Sequence, residues 1–269
     1  MSLSTFNPQL STRHVSTFNA LHLGDNLIHL HFMRALAKKY PDVTFTHGAP
    51  DEHLAQLYPL WSDLPNLTVK SIAEVGQGAI NAWRGAGGWF YQQPDQYDFL
   101  SIHLRWFRHL ADLMGLESPI HCAADMLFDY PALHAPNADC GMFHVLVVNS
   151  PPMSGQWRGY SHDGFDRIIR TLYDAGHSVV TTSPSLNGHI PCTRDQGMDI
   201  TAIGRLSQRC TAIIGCVTGP LWVTLSAFHD PGILRIHLLD HERVDLAPNT
   251  VHANSLSLVP EILKDRGLL

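Results

Sequence analysis

The chain has 269 residues, enough for one large domain or two of ordinary size. Hydrophobic residues make up 45% and charged residues only 16%, so a sizeable core is expected and disorder is not. Lys and Arg number 18 against 24 Asp and Glu, a formal charge of −6 with no basic block. That argues against a nucleic-acid partner and leaves at most peripheral membrane contact. The five cysteines are odd in number and none is spaced Cys-x-x-Cys, which points to reduced thiols rather than a disulfide frame or a zinc site. Met1–Leu10 carry no signal-peptide core, and no apolar run approaches the ~20 residues of a membrane helix. A cytoplasmic protein is the expectation.

In chain order, Val15–Leu23 predicts a first strand that ends at Gly24-Asp25-Asn26. From Asn26 the apolar residues follow three- and four-residue steps, with Lys38 and Lys39 in the last turn and Pro41 as the stop, which predicts a helix. Val43–Thr46 is a second strand, Pro50-Asp51-Glu52 opens a second helix, and Leu67–Ile72 is a third strand. Val75–Trp89 then breaks the rhythm with five glycines and with Trp83 and Trp89. It reads as a surface loop or as the wall of an acceptor pocket, with tryptophan faces for sugar rings. Tyr97–Leu116 predicts a long helix, His121–Leu133 is ambiguous, and His134–Asp139 is the best linker.

The alternation then resumes. Phe143–Val148 is an apolar strand of the kind buried on both faces of a parallel sheet. A loop with four Pro and Gly residues follows, then a helix capped by Ser161 and ended by Gly176. Ser178–Thr182 is a strand, Ile200–Arg209 a helix, Ile233–Leu239 a strand and Leu256–Arg266 a final helix. Between them Ala212–Cys216 is a buried strand. It runs into Val217-Thr218-Gly219-Pro220-Leu221, where Thr218 is placed to cap a helix and Pro220 to enter its first turn. A helix N-terminus at the carboxyl edge of a parallel sheet suits a phosphate. The fold class expected is α/β, with two Rossmann-like doubly wound domains at 1–138 and 139–269.

Two short pieces carry a family resemblance. Gly24-Asp25-Asn26-Leu27-Ile28-His29 through Pro41-Asp42 resembles the Gly-Asp turn, first helix and closing Pro-Asp of glycosyltransferase family 9, the heptosyltransferase group. Leu206–Cys210 through Ile214-Gly215-Cys216-Val217-Thr218-Gly219-Pro220 resembles that family's donor segment. The resemblance implies a GT-B-like fold, two domains facing across a cleft. It also implies that Asp25 deprotonates an acceptor hydroxyl for inverting attack. Val217 stands where the family usually has Asp, Trp222 where it usually has His, and the lysine usual just ahead of Trp157 is missing.

No Asp here is followed two residues later by another Asp, so the diphosphate of a sugar donor is expected to be held without metal. Donor-binding candidates are Thr218, Gly219, Pro220 and Leu221, with Ser154, Gln156 and Arg158 approaching from the facing loop and Ser183 and Asn187 reaching the nucleoside. Acceptor-side candidates are Gly24, Asn26, Trp83 and Trp89. Asp25 reads as the catalytic base or simply as a helix cap. His29 and His31 do not share a helical face and are not read as metal ligands. His162 and Asp163, near a helix start, read as caps. The expected function is a metal-independent inverting glycosyltransferase using a nucleotide-diphosphate sugar, ADP-heptose-like among the options, and a glycan or lipid-linked acceptor, with no cofactor. The alternatives are a non-catalytic sugar-nucleotide or glycan-binding relative and a sugar-nucleotide epimerase or hydrolase.

Overall fold

The structure, a computed structural model, describes residues 13–83, 99–134, 143–153, 157–240 and 247–269. Two parallel sheets organise it. The first holds β1 (Arg13–Phe18), β2 (Val43–Ala49), β3 (Leu67–Ser71) and β4 (Ile80–Asn81), in the order β3-β2-β1-β4. The second holds β5 (Val145–Val148), β6 (Val179–Thr181), β7 (Ala212–Cys216), β8 (Leu234–Leu238) and β9 (Thr250–Ala253), in the order β6-β5-β7-β8-β9. Val15 lies opposite Phe45 and Phe45 opposite Leu67 in the first; Leu146 lies opposite Ile213 in the second. Every residue of β5 and β7 is buried, as continuous apolar runs require when helices cover both faces.

The helices are α1 (Leu23–Lys39), α2 (Asp51–Trp61), α3 (Phe99–Leu113), α4 (His162–Asp174), α5 (Ile200–Ser207), α6 (Gly219–Trp222) and α7 (Val259–Asp265). α1 is buried around most of its circumference, from Leu27 through Arg34 without a break. That follows from the run Leu27-Ile28-His29-Leu30-His31-Phe32-Met33, which has little polar face to offer water. Leu27, Leu30 and Phe32 share one core with Ile213, Leu221 and Val223 of the second half. Arg34, 1% exposed within α1, is held by both carboxylate oxygens of Asp63 and lies over the Tyr130 ring. A second core, on the other face of the second sheet, joins Val145, Ile214 and Ile236 to Phe165 and Val259.

Several boundaries differ from the sequence expectation. β1 ends at Phe18, not Leu23, because Asn19 turns the chain by accepting the amide of Leu21 on its side chain. α1 therefore starts three residues early, at Leu23. The helix expected after Thr218 is a single turn of four residues. The stretch 121–133 resolves into two short 3-10 turns, 124–126 and 131–133. The last helix is a 3-10 turn at 256–258 followed by α7. The sequence gives no sign of β4 or β9: β4 is two residues long, and β9 carries Thr250 and His252 among its four. Most of the expected linker, from residue 135, lies outside the described residues. No described helix is long and apolar enough to cross a membrane.

Candidate functional site

A cavity of about 490 Å³ opens where the two sheets present the carboxyl ends of their strands. The turn after β1 contributes Ala20 to Asp25, and the start of α2, just after β2, contributes Glu52 and His53. The turn after β5 contributes Ser150, Pro151 and Met153, and the turn after β7 contributes Val217 to Pro220 and Trp222. Asp25, Gly24, Thr218, Gly219 and Pro220 thus come together, from stretches nearly 200 residues apart.

Two glycines set how closely those turns approach. A Cβ on Gly24 would stand 2.7 Å from Cδ1 of Trp222, so nothing larger fits without a shift. A Cβ on Gly219 would meet the Leu23 side chain at 3.2 Å, a milder contact. The tryptophan in place of the family's usual histidine therefore packs on the turn that carries Asp25.

Asp25 is the third residue of α1, not its cap; the cap position is His22, whose side chain makes no capping bond. The backbone N–H groups of His22 and Asp25 favour the charged form of the half-buried Asp25 carboxylate. Burial raises its pKa above the ordinary carboxylate value, while nearby His22 and the two amides pull the other way. His53 is shifted down, mainly by burial, with His22 adding to the effect and Glu52 opposing it.

Thr218 does not cap α6. Pro220 has no amide to offer, and the amide of Leu221 is taken by the Thr218 carbonyl at 3.0 Å. The Thr218 hydroxyl is left buried without a hydrogen-bond partner. Leu221 is buried and not among the cavity residues, and α6 is too short to supply a full helix dipole.

The remaining candidates stand elsewhere. Asn26 is fully buried behind the β1 turn, where Nδ2 donates to the carbonyls of Leu21 and His22 at 3.1 Å and Oδ1 accepts from His47 Nε2 at 3.1 Å. It braces the turn rather than facing the cavity. Trp83 packs edge-on against Trp106, with ring centroids 5.6 Å apart, and does not line the cavity. Ser183 is buried, accepting from Arg194 at 3.0 Å and lying 3.2 Å from the Ser150 hydroxyl. Asn187 turns its own loop by accepting the His189 amide. Arg158 is exposed, its backbone amide bonded to Asp240, and it is not a cavity residue. Trp89, Ser154 and Gln156 lie outside the described residues. His31 bonds the Asp125 carbonyl at 2.7 Å, and His29 packs on the His47 ring.

Sequence reasoning missed His22, Glu52, His53, Ser150 and Met153. The signal for Glu52 and His53 was present: both follow the end of a predicted parallel strand, where ligands of α/β folds bind.

The structure resembles solved glycosyltransferases along nearly its whole length. E. coli heptosyltransferase WaaC, solved with ADP-2-deoxy-2-fluoro heptose, superposes with a TM-score of 0.59 at 11% identity, covering 94% of this chain and 99% of that one. The chain has a heptosyltransferase-like fold. The glycosyl transferase family 9 protein of Veillonella parvula DSM 2008 gives 0.52 at 13%, covering 95% and 89%. E. coli ADP-heptose LPS heptosyltransferase II gives 0.50 at 12%, covering 93% and 98%. No family model and no curated protein sequence matches the chain.

Proposed function

We propose that the protein is a glycosyltransferase of the family 9 type, moving a sugar from a nucleoside-diphosphate donor to a hydroxyl acceptor with inversion and without a metal on the diphosphate. The observation that carries this reading is the meeting of Asp25 with Thr218 and Gly219 in one cavity at the carboxyl edges of both sheets. Solved relatives of this fold are heptosyltransferases, one with an ADP-heptose analogue bound, and that supports an ADP-sugar as the first donor to try. The two halves, 1–138 and 139–269, act as acceptor-side and donor-side domains across the cleft, in the cytoplasm.

In this mechanism the acceptor oxygen attacks the anomeric carbon from the face opposite the leaving group. Asp25 takes the hydroxyl proton as the new C–O bond forms. The bond from that carbon to the diphosphate oxygen breaks, and the nucleoside diphosphate leaves with the electron pair. A base works best with a pKa moved toward the working pH, which is the direction in which burial moves Asp25. On the donor side the Gly219 amide and the unpartnered Thr218 hydroxyl receive the leaving charge.

Val217, lining the cavity where the family usually has Asp, favours a second reading, a binding relative without turnover. The two separate in one experiment. The protein is incubated with a panel of nucleotide-sugars, ADP-heptose included, with glycan acceptors; binding is followed by thermal shift and nucleotide release by mass spectrometry. Binding with release that disappears in Asp25→Ala supports transfer. Binding without release, unaffected by Asp25→Ala, supports the second reading. No binding to any donor sinks both.

A further inference from the structure

Outside the cavity, α4 begins on a second group of ligand-type side chains. The ligand atoms of His162, Asp163 and Asp166 lie within 4.8 Å of one another, and none of the three lines the cavity. None is the helix cap either. That place belongs to Ser161, whose hydroxyl accepts the Gly164 amide at 3.1 Å. The expectation that His162 and Asp163 serve as caps is therefore corrected, and both are left to some other use.

The geometry around Asp166 narrows that use. Its side chain is more than nine-tenths buried, with the residue 8% exposed. Oδ1 accepts the Leu186 amide at 3.0 Å, but Oδ2 accepts no hydrogen bond, although His162 Nδ1 stands 3.1 Å away. The other ring nitrogen of His162 settles why. Nε2 faces the Pro184 carbonyl at 3.2 Å, and a carbonyl oxygen only accepts, so Nε2 carries the hydrogen. In a neutral ring Nδ1 then presents a lone pair to a carboxylate oxygen. Two acceptors at that distance need something positive between them, either a second proton on the ring or a cation.

Asp163 favours the cation. A histidine–aspartate ion pair makes no use of it, yet it brings a second carboxylate oxygen within 4.8 Å of the other two ligand atoms. The 3.1 Å separation of Nδ1 and Oδ2 also fits two ligands of one ion. Bonds of about 2.1 Å at tetrahedral or octahedral angles place neighbouring ligand atoms about 3.0–3.4 Å apart. We propose that His162 Nδ1 and the carboxylates of Asp163 and Asp166 form a divalent-cation site. One imidazole with two carboxylates suits a borderline ion such as Zn²⁺, with Co²⁺ as a spectroscopic substitute, over Mg²⁺. The ion fastens the start of α4 to the loop after β6, which already holds Asp166 and His162 through Leu186 and Pro184. It lies apart from the diphosphate pocket, and the site stands whether or not the protein transfers sugars.

The full-length protein, stripped with a chelator and dialysed, is titrated with Zn²⁺ by calorimetry and with Co²⁺ by visible absorption. One-to-one binding in the micromolar range is expected, with Kd at least about tenfold higher in both Asp163→Asn and Asp166→Asn. A rise in melting temperature with Zn²⁺ should accompany it in the unmodified protein and not in the variants. Asp163 is exposed, so its variant folds even where the buried one does not. Binding weaker than millimolar overturns the site and leaves a protonated ion pair. A Kd unchanged by both substitutions also overturns it, since the metal is then held by histidines elsewhere.

Discussion

The two turns that face each other across the cavity are built from similar parts and end up with opposite chemistry. Each follows a parallel strand, carries a glycine that allows close approach, and opens a helix. The turn after β1 opens 17 residues of helix, and its acid is absorbed into that helix's first turn. The turn after β7 opens only four, and the proline inside them removes an amide. The first turn sets the Asp25 carboxylate beside backbone N–H groups that favour its charge, while burial opposes it. The second keeps a buried hydroxyl, that of Thr218, without a hydrogen-bond partner. In the proposed transfer the first side takes a proton and the second donates a hydrogen bond, the pairing that a displacement at an anomeric carbon needs.

The sharpest way to break that comparison is Asp25→Asn. Turnover should fall by about two to four orders of magnitude, measured by nucleotide release. Stability should hold or rise, because burial penalises the charged form of Asp25 and the amide carries no charge. A melting temperature that falls along with activity would mean that Asp25 is a structural cap and nothing more.

Acid should act on both sheets at once. His47 on β2 and His237 on β8 are buried, and burial pushes each pKa down to about 3. Both are neutral in the fold and take up protons near pH 6.5 when unfolded. Their contribution is thus complete above pH 6.5 and is lost as pH falls from there toward 3, by about 2 kcal/mol for each at pH 5. Urea unfolding across that range checks it. His47→Gln should flatten the slope by the equivalent of one proton.

The turn after β7 was legible in the sequence as a strand, a glycine and a proline, because an apolar run of five residues and two strong backbone formers leave few alternatives. The order of strands and helices was legible for the same reason. What pattern cannot show is which residue begins a helix. Asn19 and Asn26 decide that for α1 through side-chain bonds to the backbone of residues 21 and 22, and both looked like ordinary turn residues. Nor could periodicity show that Trp83 would find Trp106, or that Ser183 would be taken up by Arg194, since those partners are 23 and 11 positions away. Asp25 and Thr218 were placed at this cavity because their positions follow from strand ends; Glu52 and His53, placed by the same rule, were passed over because that segment was read only as a helix start with acids suited to its dipole.

Substituting the two glycines separates the turns by sterics. Gly24→Ala forces its new methyl against the Trp222 ring at 2.7 Å and should cost about 1–3 kcal/mol in thermal or chemical unfolding. Gly219→Ala meets Cδ2, Cγ and Cβ of Leu23 at 3.2–3.4 Å, contacts that a shift of a few tenths of an ångström relieves, and should cost less. Equal losses would mean that Trp222 yields as readily as Leu23 and that the two turns are not held together by that contact.

The smallest effect is the most informative about the second turn. Thr218→Val replaces a buried hydroxyl that has no hydrogen-bond partner with a methyl group of nearly the same size. An unpaired buried polar atom is a burden on the fold, so the free protein should gain stability, by about 1 kcal/mol. If the hydroxyl is kept because it meets a donor diphosphate, the same change should raise the KM or Kd for the nucleotide-sugar severalfold while leaving Asp25 chemistry alone. A gain in melting temperature with weaker donor binding would assign Thr218 to the ligand. A loss in stability would show that the hydroxyl has a partner inside the protein, and a gain without any change in binding would move the donor away from this turn.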